Sequence, residues 1–497
     1  MSAVAFGPIH EYYNSGDWST RISKLSPADQ IADTDFFYTA AIYSRLMTTR
    51  AALLFLVLSL SLAAMQPEPF AFKVVATGLL NPWEVAYGPD ANLWVTERTG
   101  KKITRVNIAD GSKSTAATID EVFQNHGQDG LLGMALHPGL LRGNGNDYVY
   151  VAYTYDADPG SELNRRGKIR RYSYDSAFRT LQDPVDLISN LPAGTDHLAF
   201  RLAFGPDQKL YLSIGDQGAN WLQNYCNLNR AQELPTAAEV QARDWTKYQG
   251  KMLRLNLDGT IPSDNPMLSG VRSHIYTYGH RNPQGLAFGS GGRLYSSEHG
   301  PDTDDEFNLI ESGKNYGWPR VAGYNDDRVY VYASWAESSG VPCASMPFHQ
   351  TVIPPSVPQR KESTWSSPDF KAPLKTFFTV ANDYDIQARG SATIAPGGLE
   401  IYPASGAVPG WGDSALVLSL KSGLVYRVKL GRNGLAAADD PTQLFKTTNR
   451  YRDIAIDPTG RTIYLATDSQ GSSTDASGRT ARTLANPGSI VAFSYQP

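Results

Sequence analysis

The sequence has few cysteines, few charged residues and no excess of positive charge. Among 497 residues there are two cysteines, and 19% of the residues are charged. Cys226 and Cys343 are too few for a disulfide-rich scaffold or for a zinc or iron–sulfur site built on cysteine. They leave open one disulfide or two free thiols. The net charge of −4, from 45 basic and 49 acidic residues, argues against a nucleic-acid partner.

Several common catalytic motifs are also missing. The sequence has no Gly-x-Gly-x-x-Gly after a predicted strand, no Gly-Lys-Ser/Thr phosphate loop, no Gly-x-Ser-x-Gly elbow and no His-Glu-x-x-His helix. These absences disfavour a Rossmann-type nicotinamide enzyme, a phosphate-loop nucleotidase, a common serine hydrolase and a zinc peptidase. The eight histidines are scattered, and none are paired at metal-ligand spacing.

Only one strongly apolar run occurs, between Arg50 and Ala64. It is shorter than the roughly 20 residues of a membrane-spanning helix, so we expect no stable membrane span. Arg45 and Arg50 precede it and small residues end it, as in a secretory signal peptide. We therefore expect residues 47–64 to be a signal peptide, residues 1–46 to be an upstream extension, and the mature protein to be periplasmic or secreted. The alternative is an uncleaved anchor with a cytoplasmic tail.

Glycine, proline and tyrosine are abundant, with 44, 31 and 27 residues, and they follow a repeating pattern. A turn rich in Gly, Pro, Asp or Asn leads into alternating apolar and aromatic residues, which is typical of a tight turn entering a strand. Copies of this pattern begin at residues 88, 137, 205, 289, 410 and 457. Six copies predict an all-β fold over residues 70–497, a six-bladed β-propeller with long inserted loops.

The regions between the copies contain little helix. A convincing helical pattern occurs only from Ala237 to Asp244. Residues 221–250 and 325–395 are long insertions, and loops of this length often carry function.

Polar residues cluster in the predicted loops, where a propeller brings distant segments together. Arg281, Lys421, Arg450 and Arg452 could form a cationic cradle for carboxylates or phosphates. His197 could act as a general base if Asp216 fixes its tautomer. Surface salt bridges and a structural histidine are the alternatives. The oxygen-rich segment 300–306 suits either a calcium site or a solvated acidic loop.

Eight ordered motifs give the chain a specific resemblance. They are the segments Gly127–Gly133, Gly205–Tyr211, Ile214–Gly218, Leu253–Gly259, Gly279–Phe288, Asn315–Trp318, Val321–Tyr324 and Asn449–Asp453. With these motifs the chain resembles the soluble quinoprotein glucose dehydrogenases of the glucose/sorbosone dehydrogenase family, from about Phe72 to Gln496. The resemblance implies a six-bladed propeller that holds pyrroloquinoline quinone (PQQ) and Ca²⁺ and oxidises aldoses at the anomeric carbon to lactones.

The resemblance also implies roles for individual residues. It makes His197 the general base, Asp216 its orienting carboxylate, and Arg281 the group that stabilises negative charge on the quinone. The cofactor residues implied are Gln128, Arg281 and Asn282 at the quinone and Lys421, Arg450 and Arg452 at its carboxylates. Asp196 and Gln128 would position the sugar. The implied calcium ligands are the carbonyls of Gly300 and Pro301 in the active site, and Glu306, Tyr316, Ala322, Tyr324, Asp326 and Glu362 at a structural site.

One segment departs from the pattern of the glucose-oxidising members. Residues 381–396 lack the cysteine pair and the tryptophan found in the longer loop of those members. This departure leaves open which sugar is oxidised, and the alternatives are another sugar or an aldehyde such as sorbosone. A carbohydrate- or partner-binding propeller without catalysis is a further alternative. A calcium-dependent, lactonase-like hydrolase is disfavoured, because it would need side-chain metal ligands in the channel and the sequence indicates none. The expected partners are a small sugar, a quinone or redox-protein electron acceptor and, by analogy, a second copy in a homodimer.

Overall fold

The computed structural model describes residues 70–125, 127–431 and 433–497. The expected upstream extension and signal peptide lie outside these residues. Within the described part of the chain, no helix is long and apolar enough to cross a membrane.

Six four-stranded antiparallel sheets form the body of the protein, and each sheet is one propeller blade. From the inner to the outer strand, blade 1 contains Pro82–Tyr87, Asn92–Glu97, Lys102–Asn107 and Lys113–Thr118. Blade 2 contains Leu131–Leu136, Tyr148–Asp156, Arg165–Asp175 and Thr180–Pro192. Blade 3 contains Ala199–Phe204, Leu210–Ile214, Lys251–Leu255 and Ile275–Tyr278.

The other three blades repeat this order. Blade 4 contains Pro283–Phe288, Leu294–Glu298, Asp305–Ile310 and Lys375–Phe377. Blade 5 contains Pro396–Ile401, Ser414–Ser419, Val425–Lys429 and Thr442–Leu444. Blade 6 contains Tyr451–Ile456, Thr462–Thr467, Ile490–Tyr495 and Phe70–Ala76, so its outer strand comes from the start of the described chain.

The strands are apolar because both faces of a blade are covered by its neighbours. In blade 1, Trp94 packs into the core shared with blade 2, while Leu93 and Val95 pack into the core shared with blade 6. The inner strands contact one another in cyclic order, from blade 1 through blade 6 and back to blade 1. The predicted all-β, six-bladed propeller is confirmed.

The inner strand of every blade is irregular near its start. The register against the second strand shifts between Pro82 and Val85, Leu131 and Met134, Ala199 and Leu202, Pro283 and Gly285, Pro396 and Leu399, and Tyr451 and Asp453. Such β-bulges redirect side chains and are common beside active sites. The shifted segments include Arg201, Gln284 and Arg452, which bond to groups on other blades.

Short elements lie outside the blades, in the two long insertions and in the loops between strands. The α-helices are Ala237–Ala242, close to the predicted helix, and Ile386–Arg389. The 3₁₀ helices are Leu222–Asn224, Thr246–Tyr248, Ser290–Gly292, Trp335–Glu337, Cys343–Ser345 and Glu362–Thr364. Three two-stranded sheets pair Met267–Leu268 with Val271–Arg272, Tyr332–Ala333 with Gln359–Arg360, and Ser473–Thr474 with Thr480–Ala481. Cys226 and Cys343 form a disulfide that joins the two long insertions.

Candidate active site

The expected site residues come together at one end of the propeller. Strand direction alternates within a blade, so the loop before each inner strand and the loop after each second strand emerge at the same end. Gln128, His197 and Arg281 lie before or at the start of inner strands, whereas Asp216 and Lys421 follow second strands. This end of the propeller is called the mouth below.

The geometry at the centre of the mouth is that of an oriented histidine. His197 Nδ1 lies 2.7 Å from Asp216 Oδ1, and the two residues are 6% and 0% exposed. The remaining bonds to the Asp216 carboxylate come from donors: Gly218 N at 2.9 Å, Asn229 Nδ2 at 2.9 Å and Trp318 Nε1 at 2.7 Å. An acceptor-only carboxylate places the proton of neutral His197 on Nδ1, which leaves the lone pair of Nε2 free to accept a proton.

Asp196 lies on the Nε2 side of His197 and in turn bonds to Gln128. Asp196 Oδ2 is 4.0 Å from His197 Nε2, and Asp196 Oδ1 accepts hydrogen bonds from His197 N and Gln128 Nε2. The other amide atom, Gln128 Oε1, is buried and has no hydrogen-bond partner among the described residues. An unpaired buried acceptor on a residue that bonds to Asp196 suits a hydroxyl group of a ligand.

Backbone conformation holds His197 in place. Its φ is 43°, in the left-handed region that non-glycine residues rarely adopt. The loop of Asp216 approaches it so closely that a Cβ at Gly215 would lie 1.9 Å from the His197 carbonyl oxygen. Glycine is therefore required at residue 215 for the pair to form.

Arg281 is buried at the mouth without a carboxylate. Its side chain lies between two indole rings, with Cζ 5.6 Å from the Trp221 centroid and 5.3 Å from the Trp318 centroid. Nη1 donates weakly to the His299 carbonyl at 3.4 Å, and Nε has no partner among the described residues. Enclosure by protein atoms and the charge of Arg281 hold the pKa of His299 well below its usual range, so His299 is neutral.

Three further cations line the same end of the propeller. Lys421 Nζ donates to Ser391 O at 2.6 Å and forms no ion pair in the described part of the chain, although Asp302 and Asp305 lie near enough to affect its pKa. Arg450 and Arg452 share one carboxylate, that of Asp468. Burial alone would raise the pKa of Asp468, but the two guanidinium groups outweigh it and lower the pKa. The predicted cradle therefore keeps excess positive charge, which suits a ligand with several carboxylates.

Asn282 lies directly beside Arg281 and is 1% exposed. Its Oδ1 accepts a hydrogen bond from Gln284 Nε2 at 3.0 Å, and its carbonyl accepts one from His299 N at 3.2 Å. The residue is thus fixed at the mouth, where the sequence predicts contact with a quinone.

The loop of Gly300 and Pro301 is held from behind by Asp305. Gly300 N donates to Asp305 Oδ1 at 2.8 Å, and the backbone amides of Ile394 and Ala395 donate to Oδ2. Burial raises the pKa of Asp305 to about 7. The loop that is expected to offer carbonyl oxygens to Ca²⁺ is therefore anchored to two blades.

The residues expected at the structural calcium site are brought together in part. Backbone amides of Ala322 and Asp326 donate to Glu362, and that of Gly323 donates to Glu306. Tyr316 directs its hydroxyl elsewhere, to the Leu309 carbonyl, so only its backbone could be a ligand. Burial raises the pKa of Glu306 strongly and that of Glu362 to about 7.

No basic side chain is paired with either of these glutamates within the described residues. Two buried carboxyl groups without a cation suit a dication that also takes carbonyl oxygens. Among the described residues, however, no three His, Cys, Asp or Glu side chains form a metal-binding group. A site here would depend on backbone carbonyl oxygens, including that of Tyr324. Burial and neighbouring carboxylates raise the pKa of the Tyr324 hydroxyl.

Fold and site together define a six-bladed propeller with an oriented histidine beside a cationic mouth. The Glucose / Sorbosone dehydrogenase family model matches residues 79–364 and 384–474, and the chain belongs to this family. Quinoprotein glucose dehydrogenase B of Acinetobacter calcoaceticus is 42% identical over 446 residues, covering 87% of this chain and 93% of the relative. The resemblance found from the motifs is confirmed.

Solved structures agree with this assignment. The PQQ-bound aldose sugar dehydrogenase of Streptomyces coelicolor has a TM-score of 0.57 and 27% identity, and covers 86% of this chain and 99% of that one. The soluble aldose sugar dehydrogenase of Escherichia coli, in its apo form, has the same fold at 22% identity, a TM-score of 0.57 and coverage of 86% and 100%.

Sequence reasoning missed several supporting residues. Asn229, in the first insertion, and Trp318, just before the second, both donate to Asp216, and nothing in the spacing of these residues indicates that contact. Asp468 could have been found, because it follows the second strand of blade 6 just as Asp216 follows that of blade 3.

Proposed function

We propose that this protein oxidises an aldose at the anomeric carbon to the lactone, with PQQ and Ca²⁺ as cofactors. The observation that carries the proposal is the His197–Asp216 pair beside the buried Arg281, whose guanidinium forms no ion pair among the described residues. Membership of the sugar dehydrogenase family and the PQQ-bound relative support it. The buried unpaired Nε of Arg281 and the excess charge of the cradle fit an anionic, carbonyl-bearing group.

His197 would perform the proton transfer. Its Nε2 accepts the proton of the anomeric hydroxyl, while Asp216 stabilises the imidazolium that results. Asp196, on the Nε2 side, and Gln128, which bonds to it, would hold hydroxyl groups of the sugar in the required orientation. The mouth would thus remove one proton from the hydroxyl while the anomeric C–H hydrogen leaves with its electron pair.

PQQ, when bound, would accept that hydride and its two electrons, with Ca²⁺ polarising a quinone carbonyl. Lys421, Arg450 and Arg452 would hold its carboxylates, and Arg281 and Asn282 would contact the quinone. Gly300 and Pro301 would offer carbonyl oxygens to the active-site Ca²⁺. Glu306, Tyr316, Ala322, Tyr324, Asp326 and Glu362 would hold a structural Ca²⁺.

We further propose that the mature enzyme acts in the periplasm or outside the cell, and that a quinone or a redox protein reoxidises it. The signal-like segment at residues 47–64 supports this location. A homodimer is proposed by analogy alone. Oxidation of another sugar or aldehyde, such as sorbosone, is the alternative favoured by the unusual segment 381–396.

The test is reconstitution. Purified protein without cofactor is mixed with PQQ and Ca²⁺, and dye reduction is measured with a panel of aldoses and with sorbosone. We expect dye reduction that needs PQQ, Ca²⁺ and an aldose together. Absence of both dye reduction and PQQ binding would refute the proposal.

The assigned base is tested by His197→Ala. We expect kcat to fall about 10²- to 10⁴-fold, the range for loss of a general base, with PQQ binding retained. Binding is measured by titration of the PQQ absorbance. Unchanged kcat would show that another group takes the proton.

A further inference from the structure

Lys251 is a fully buried lysine to which the proposed reaction gives no role. It begins the third strand of blade 3, is 0% exposed and forms no ion pair among the described residues. Glu233 acts on its charge from a distance and is itself paired with Arg230, Nη1 to Oε2 at 2.6 Å. A buried charge without an ion pair is costly, so its other polar contacts must compensate for the loss of water.

The ammonium group of Lys251 donates three hydrogen bonds to backbone carbonyls. The acceptors are Arg230 O at 3.0 Å, Ala231 O at 2.9 Å and Gln249 O at 2.7 Å. Burial lowers the pKa of Lys251 to about 7. Below that pH the group carries three protons, one for each carbonyl. Lys251 therefore joins the interior of the first insertion, at residues 230–231, to the end of that insertion at Gln249.

The interior of the insertion supports Asp216 through a side chain. Asn229 Nδ2 donates to Asp216 Oδ2 at 2.9 Å, and Asn229 Oδ1 accepts from Ala231 N at 3.0 Å. The amide of Asn229 is thus fixed between the carboxylate and the residue whose carbonyl Lys251 binds. Asn229 is 8% exposed, so water has little access to replace this bond.

The end of the insertion supports the same carboxylate through the backbone. Gly250 N donates to Gly215 O at 3.0 Å, and Gly215 directly precedes Asp216. Within the sheet, Lys251 lies opposite Ile214, two residues before Asp216. One buried ammonium group therefore connects the two supports of the carboxylate that orients the candidate base.

We propose that Lys251 is a positioning residue for His197, because it holds the segment whose Asn229 bonds to the orienting carboxylate. The inference deepens the proposed function and rests on it for the role of His197. A donor withdrawn from a carboxylate leaves more negative charge on its oxygens, and this charge stabilises a neighbouring imidazolium. Loss of the Asn229 bond should therefore raise the pKa of His197.

Other titratable and charged groups also surround His197. Asp216 lies 2.7 Å from Nδ1 and Asp196 lies 4.0 Å from Nε2. His299, which burial and the charge of Arg281 keep neutral, also interacts electrostatically with His197. These groups are unchanged in the variants compared below, so a change in the pKa of His197 reports on the lysine contact.

The experiment measures the pKa of His197 in the cofactor-free wild type, Lys251→Met, Asn229→Ala and the double variant. The pKa is obtained from the pH dependence of hydrogen–deuterium exchange at the imidazole C2 position, followed by mass spectrometry of peptides. We expect each single variant to raise the pKa by at least about 0.5, which corresponds to the loss of one hydrogen bond. Lys251→Met should add less than half of its effect when Asn229 is already replaced. Equal effects in both backgrounds would show that Lys251 acts by its charge alone, and would refute the positioning role.

Lys168→Met is the matched control. Lys168 lies on the third strand of blade 2, is 5% exposed and is paired with Glu121 at 3.0 Å and Asp186 at 2.9 Å. We expect its replacement to lower thermal stability and to change the pKa of His197 by less than about 0.2. An equal change in both lysine variants would refute the inference. If Lys251→Met does not fold, Lys251→Gln, which keeps an N–H donor, is judged by the same criteria.

The reconstituted enzyme provides a second measurement, kcat/KM as a function of pH. We expect the acid limb of Lys251→Met to move to higher pH by a similar amount, since this limb reports the pKa of the base. Above the limb, kcat should fall about tenfold while KM for the sugar changes less than about twofold. Lower activity with an unmoved acid limb would indicate only a loss of active protein, and would refute the positioning role.

The two measurements separate this inference from the proposed function. If the wild type with PQQ and Ca²⁺ oxidises no sugar, but the pKa of His197 depends on Lys251 through Asn229, the proposed function fails and the positioning role stands. If sugar is oxidised but the pKa and the acid limb are unmoved, the inference fails and the proposed function stands.

Discussion

Two buried arginines, one in the channel of the propeller and one at its mouth, have opposite surroundings. In the channel, Arg201 is 2% exposed, and its Nη1 lies 2.8 Å from Glu84 Oε2 and 3.0 Å from Asp453 Oδ1. At the mouth, Arg281 is 5% exposed and lies between two indole rings, with no carboxylate in ion-pair range among the described residues. A buried charge is costly unless it is paired, so we expect the first arginine to stabilise the fold and the second to pair with a ligand.

The same contrast extends to the neighbours of each arginine. Arg201 is fixed by carboxylates from blades 1 and 6, so it joins three inner strands. Among the described residues, the contacts of the Arg281 guanidinium are two aromatic faces and a backbone carbonyl, and the carboxyl groups of Asp302 and Asp305 lie beyond ion-pair range. In the channel, carboxylates of the fold are paired with the arginine, whereas at the mouth the guanidinium keeps a positive charge that an anionic ligand could neutralise.

The largest effect is expected for Arg201→Met. Removal of one partner from a buried ionic group leaves Glu84 and Asp453 uncompensated, and we expect the free energy of unfolding to fall by about 3–5 kcal/mol. This loss of unfolding free energy is measured by denaturant unfolding of the cofactor-free protein. Adding Glu84→Gln and Asp453→Asn to the Arg201→Met variant should recover part of the lost stability. A change below about 1 kcal/mol in Arg201→Met alone would contradict the structural role of Arg201.

The matched substitution at the mouth, Arg281→Met, should leave stability nearly unchanged and weaken cofactor binding. No ion pair is lost, so we expect the unfolding free energy of the cofactor-free protein to change by less than about 1 kcal/mol. In contrast, the affinity for PQQ in the presence of Ca²⁺ should fall at least about tenfold, since a charge-assisted contact is lost. If both arginine variants destabilise the protein equally, the distinction between channel and mouth is wrong.

A pH-dependent effect is expected for Glu400, on the inner strand of blade 5. Burial, together with nearby Asp453, raises its pKa from about 4.5 to about 7. The folded state therefore retains a proton that the unfolded state releases between these pH values, and this group's contribution to stability is lost as pH rises through that window. Glu400→Gln should match wild type below pH 4.5 and exceed it by about 1–3 kcal/mol above pH 7. Parallel stability–pH curves would contradict this.

Much of the fold could be predicted because the propeller is a local repeat. Each turn and the strand that follows it are neighbours in sequence, so six copies were visible from residue types alone. The fold also placed His197 and Asp216 together, since one precedes an inner strand and the other follows the next strand of the same blade.

The rest depended on contacts between distant segments. Trp318 reaches Asp216 across 102 residues, and Arg201 reaches Asp453 from a different blade. The pairing of Cys226 with Cys343 was equally open, because two cysteines in two long insertions can be free or bonded. Spacing along the chain does not predict such contacts, because they form only when the six blades close into a ring.

The blade that closes the ring also sets an order of assembly. Its outer strand, Phe70–Ala76, pairs with Ile490–Tyr495, and its inner strand carries Arg452 next to Arg450. A chain that emerges from the ribosome N-terminal end first must hold that outer strand unpaired until the final strand is made. Arg450 and Arg452 belong to this last-made blade, so a ligand that contacts both of them together with Arg281 and Lys421 could bind only after that blade has formed.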